Sequence, residues 1–282
     1  MSTLQPTPDT PEVAAAVLAI EEYWTEMAQR WPWMRQQSMR PVYILAGEMM
    51  IDLTRRFPTL IHSNQARWYA RQIAGTPSIY VLPYDQFMDE ARQRLGRGDP
   101  HALDGKHAVT FLYLATVSGK QQPAKTLLIS TEKQAPMFRA QLAHEILNST
   151  CATDFDGNNL RAGVRRVNFG AGAPLVRGGM LNDLLIDTLL LDFLPAATTY
   201  TRSTLLDGQQ GPYWHIAAAL AMKIPPNVIL DALFGAEADT LVLQSYLNQA
   251  LERGDGAQWL DQRIAARDWA ALTDAIGTAG EM

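Results

Sequence analysis

From Pro11 to Arg30 apolar residues recur at three- and four-residue steps (Val13, Val17, Ile20, Trp24, Met27), the spacing of one helix face. The WPW triplet at 31–33 breaks the pattern, because proline cannot continue a helix interior. A second helical stretch covers about 41–56, bounded by Pro41 and Pro58, and a third covers about 63–74 with Ser63 as its cap. The character then changes. SIYVLPY (78–84) is β-branched and aromatic and predicts a strand. DQFMDEARQRLG (85–96) predicts a helix opened by Asp85 and stopped by Gly96. HAVTFLYLATV (107–117) and KTLLIS (125–130) predict two more strands with a Gly- and Gln-rich turn between them, and a helix follows from about Ala135 to Ser149. Residues 153–180, rich in Gly and Asn, predict a long connection with one short strand within 165–172. GGMLNDLLIDTLLLDFLPAA resumes a helix that Pro195 ends. Its apolar positions run almost all round, the mark of a buried helix. Further helices are predicted at 212–223, 226–234, 238–252, 256–265 and 268–277. Helices, a strand cluster and helices again give an α+β fold class. The expected regions are a Pro- and Thr-rich disordered leader (1–11), an N-terminal helical region (12–75), an α/β core (76–195) and a helical C-terminal region (196–282).

With 47% hydrophobic and 19% charged residues, the chain has the balance of a globular protein. A net charge of −5 argues against a nucleic-acid partner, which would want a basic stripe. Arg is dense in RAGVRR (161–166), but too few positive residues surround it to make a patch. A single Cys excludes an internal disulfide framework and a Cys-based structural zinc site. The N-terminus lacks the basic and apolar segments of a secretory signal. The longest apolar run, LLIDTLLLDFL, is interrupted by Asp187 and Asp192 and falls short of the roughly 20 apolar residues that cross a bilayer. No membrane partner and a cytoplasmic location are expected.

Candidate chemistry centres on AHEILNST (143–150). On a helix His144 and residue 148 share a face one turn apart, as two ligands of one tetrahedral metal would, with Glu145 beside them to activate a metal-bound water. Residue 148, however, is Asn where HExxH has its second His. A site of this kind needs a third ligand from another helix. In NDLLID (182–187) Asp183 could supply it, and Asp187, one turn on, could orient a ligating imidazole through a hydrogen bond. Carboxylates in an apolar run are costly to bury without partners, and His144 is a sensible one. Cys151 lies two turns from His144, about 10 Å along the axis, so both could share an ion only if the helix unwound.

HEILN followed by NDLLID resembles the gluzincin branch of the zincin-like metallopeptidases, in which HExxH is followed by NExxxD or NExxxE. The strand–helix–strand–strand order before the helix and the helical tail PYWHIAAALAMKIPPNVILDALFGAEADTLVLQSYLNQAL are similar to that family, over roughly residues 76–275. The resemblance implies a zincin-like fold, with His144 as first zinc ligand, Glu145 as general base, Asn148 at the altered second ligand position and Asp183 in place of the Glu ligand. It also implies Asp187 as the acid behind a ligand, Asn182 as the Asn preceding the third ligand, and Tyr213 or His215 as a stabiliser of the oxyanion. An amide oxygen is a weak donor beside imidazole, so zinc is expected to be held weakly or not at all.

The leading expectation is therefore a degenerate metallopeptidase-like protein that binds a peptide or protein in the old cleft. The alternatives are an atypical metal-dependent peptidase using Glu145, and an unrelated α+β protein with a coincidental His-Glu pair. In the last case Glu145 could serve only as hydrogen-bond partner of a neighbouring strand. Among other features, the spacing of GAGAPLVRGG (170–179) is wrong for a nucleotide loop and reads as a flexible loop, and no G-x-S-x-G occurs.

Overall fold

In this computed structural model the three strands expected between 78 and 130 pair into one sheet of order β1-β3-β2. β1 (Ile79–Leu82) runs parallel to β3 (Lys120–Ser130), and β2 (Ala108–Val117) runs antiparallel to it. The structure describes residues 10–30, 39–57, 79–95, 103–135, 137–169, 175–191 and 211–277. Most of the expected leader, the helix at 63–74 with its Ser63 cap, and the stops at Gly96 and Pro195 lie outside the described residues. The chain forms two compact units, Met1–Thr150 and Cys151–Met282, so the 76–195 stretch contributes to both. Each is described by itself.

In the first unit β3 is longer than KTLLIS suggests. Gln121, Gln122 and Pro123 belong to the strand, and the chain reverses at Ser118-Gly119, both with positive φ. That two-residue turn matches the twist of its flanking strands. Pro123 is tolerated because β1 pairs with β3 only from Leu127 onward, leaving that side of Pro123 without a ladder to break. Alternation then sorts the strands' side chains. Tyr80, Leu128 and Val109 share a face with Phe87, Met88 and Ala91 of α3 (Tyr84–Leu95). α3 begins one residue before the expected cap, so Asp85 lies in its first turn. α1 (Pro11–Arg30) packs on α2 (Arg40–Arg56), and α2 packs on α4 (Phe138–Thr150), which lies against β2 and β3. α1 turns Val13, Val17 and Ile20 inward, and α2 buries Val42, Ala46, Met50 and Leu53.

The second unit departs most from expectation. Instead of a connection with one short strand within 165–172, residues 153–177 form a four-stranded antiparallel meander, β4 (Thr153–Phe155), β5 (Asn159–Ala162), β6 (Arg165–Asn168) and β7 (Leu175–Arg177), in which β6 is the expected strand. α5 (Gly179–Leu190) packs on β6 and buries Leu181, Leu184, Leu185, Ile186, Leu189 and Leu190, the all-round burial its pattern predicts. Around it stand α6 (Gly211–Lys223), α7 (Pro226–Phe234) and α9 (Gly256–Ala265). α8 (Glu237–Ala250) packs on α7 and α9, and α10 (Trp269–Ile276) on α6 and α9. The mixed α+β class holds, and no single described helix is long and apolar enough to cross a membrane.

Candidate functional site

The residues of the His-Glu motif all lie on α4, in the first unit. Glu145 is 6% exposed, and its Oε2 accepts the backbone N–H of Thr110 at 2.8 Å. Thr110 returns a bond from Oγ1 to the Glu145 carbonyl at 3.0 Å. Thr110 sits on β2, which among the described residues is an edge strand whose outer amides have no strand to pair with, so the carboxylate supplies the missing acceptor. Asn148 is buried and donates from Nδ2 to the same Oε2 at 3.4 Å, while its carbonyl accepts Lys125 Nζ at 3.2 Å. His144 is half-buried on the same helix.

The residues of the second motif lie in the other unit, on α5. Asp183 Oδ1 receives Arg165 Nη2 at 2.9 Å, an ion pair between α5 and β6. Asp187 Oδ2 accepts the Tyr213 hydroxyl at 2.6 Å. Burial pushes the Tyr213 phenol well above its ordinary pKa, and the Asp187 charge, its hydrogen bond and the Asp183 charge push the same way. The hydroxyl proposed as an oxyanion donor is thus committed to a carboxylate. His215 follows on α6, with a buried Nδ1 that has no hydrogen-bond partner. Asn182 is fully buried and its Oδ1 accepts the Val164 N–H at 3.2 Å. It closes on the β5–β6 turn, where Gly163 has φ +61° and a Cβ would collide with Asn182 Oδ1 and stand 3.3 Å from Cys151 Sγ. Cys151 is buried at this turn, just past the end of α4. Asp261 of α9 fixes the start of α5, accepting Gly178 N and Leu181 N at 3.0 Å each.

Comparison with family models, curated proteins and solved structures gives no match. The chemistry of the side chains therefore carries the functional reading. An imidazole, an amide and a carboxylate already paired with Arg165 make a poor donor set for zinc, whose sites use imidazole, thiolate and unencumbered carboxylate. Within either unit, no three His, Cys, Asp or Glu side chains among the described residues gather as a metal centre requires.

The structure brings together Glu145 with Asn148, and Asp187 with Tyr213. It also introduces partners that the motif reading does not contain, chiefly Thr110, Arg165 and Asp261. For Arg165 a signal existed in RAGVRR, where Gly163 marks a tight turn and the alternation of the strand after it sends Arg165 and Arg166 to opposite faces. Nothing in the sequence marks Thr110 or Asp261, which meet their partners across 35 and 80 or more residues.

Proposed function

We propose that the chain is a metallopeptidase-like α+β protein whose catalytic apparatus is degenerate, and that it acts by binding a peptide or protein. The observation that carries this reading is the Arg165–Asp183 ion pair. At the position where the family places a ligand, the carboxylate already faces a cation of the protein's own. Asn148 supports it, since an amide that donates to Glu145 has exchanged a metal ligand's role for a helix-internal bond. Under this reading purified protein cleaves no peptide with or without added zinc, and Asn148→His alone raises zinc affinity about tenfold or more, because imidazole is the better donor. Peptide cleavage that Glu145→Gln and a chelator both abolish would overturn it in favour of an atypical metal-dependent hydrolase.

A second reading rests on the Glu145–Thr110 bond: the His-Glu pair has a structural duty and no metallopeptidase ancestry. It predicts that Asn148→His leaves zinc affinity unchanged.

A further inference from the structure

The sheet of the second unit carries a charged feature that neither motif touches. Residues directly opposite on neighbouring strands point to the same face, and the register aligns Asp154, Arg161, Arg166 and Arg177 in one row across β4, β5, β6 and β7. Like charges opposite one another destabilise a sheet, so three adjacent guanidinium groups require anions. The described residues supply two. Glu237 Oε1, at the start of α8, lies 2.7 Å from Arg166 Nη1. Asp154 Oδ2 lies 3.8 Å from Arg161 Nη2, beyond hydrogen-bond reach. Arg161 is only 4% exposed. Its Nη2 donates to the Gly235 carbonyl at 3.0 Å, but its buried Nε and Nη1 have no partner. Burial works against its charge, Asp154 offsets this, and Arg166 adds to it. Arg177 is exposed on β7. Two residues along the same face the row continues as Asn159 and Asn168, joined by a 2.6 Å bond from Asn168 Nδ2 to Asn159 Oδ1. The face beside the arginines thus carries two amides, with the exposed Leu175 opposite Asn168 on β7.

We propose that the Arg161–Arg166–Arg177 row binds a small multivalent oxyanion, a ligand carrying two or more phosphoryl or carboxylate groups. Strand spacing places the three arginines within about 10 Å, so neighbouring groups of one ligand meet neighbouring guanidiniums. Guanidinium recognises both anion types through paired N–H donors. Glu237 shows that a carboxylate seats on Arg166, and it holds the place that the ligand takes. No residue of the row belongs to the His-Glu or Asn-Asp motif, so this site stands or falls independently of the peptide-binding reading.

The full chain is titrated calorimetrically with inorganic pyrophosphate and with citrate, at constant ionic strength near neutral pH. Saturable binding of at least one is expected, and the tighter of the two tells a phosphoryl from a carboxylate ligand. Arg166→Gln with Arg177→Gln should weaken it about tenfold or more, since two charge-assisted contacts are lost. Both side chains are partly or wholly exposed, so the thermal midpoint should hold. Arg177→Gln alone serves if the double variant does not fold. Glu237→Gln should tighten binding several-fold, whereas Asp274→Asn on α10, an equal change in net charge, should not. No saturable binding of either probe, or equal binding by the arginine variants, overturns the proposal.

Discussion

Replacing Glu145 distinguishes a side chain that holds the fold from one kept only for chemistry. Glu145→Ala removes the acceptor of the Thr110 N–H on the edge of β2 and leaves that amide facing a buried gap. A buried donor left without a partner costs about 1–3 kcal/mol. The one buried methylene lost with it adds about 0.8 kcal/mol. The sum, about 2–4 kcal/mol, corresponds to a fall of roughly 4–16 °C in the midpoint of a unit of this size. Glu145→Gln has nearly the same shape, and its amide oxygen can still accept from Thr110. It should cost under about 1 kcal/mol, since only the charge assistance is lost. Thermal unfolding followed by circular dichroism, with a Thr110 amide resonance as local probe, reads both variants. If Glu145→Ala leaves the midpoint of the first unit unchanged, or if Gln is as damaging as Ala, the structural role assigned to Glu145 is wrong.

Gly163→Ala should destabilise the second unit by about 2–5 kcal/mol, combining the left-handed backbone penalty with a collision against Asn182. Gly105→Ala, with φ +69° and nothing within 4 Å, should show the backbone penalty alone, about 1–2 kcal/mol, and denaturant midpoints compare the two. For Tyr213 the raised pKa fixes the sign of a pH effect. The neutral phenol is favoured in the fold, so its contribution is complete below the unfolded value near 10 and is lost as pH rises toward the folded value. Difference absorbance between wild type and Tyr213→Phe should show one tyrosine ionising only well above pH 10, together with unfolding; ionisation at the ordinary value would contradict the Asp187 contact.

The long elements were legible because each spans several periods of its pattern. Pro11–Arg30 and Pro226–Phe234 match the sequence boundaries, and the three strands of the first sheet fall where β-branched residues cluster. Of the meander at 153–177 only β6 was legible, as the short strand expected within 165–172. The other strands have three or four residues, too few for alternation to declare itself, and β5 carries Asn and Arg where a strand usually shows Val or Ile. The same difficulty hid the arginine row. RAGVRR is a brief charge cluster in the sequence, and only pairing sets Arg177, eleven residues on, beside Arg166. Among the motif residues, Asn148 and Tyr213 were singled out from the sequence and meet Glu145 and Asp187, but the partners Thr110 and Arg165 were not. Whether a carboxylate faces a metal or an arginine depends on residues far away in the chain, and a single sequence does not register that.

The most direct test of the central claim is the metal content of protein purified without chelators, measured together with zinc affinity by calorimetry. The account predicts well under one equivalent of zinc and no change in residual binding on His144→Ala. One full, tightly held equivalent that His144→Ala and Asp183→Ala each remove would contradict it.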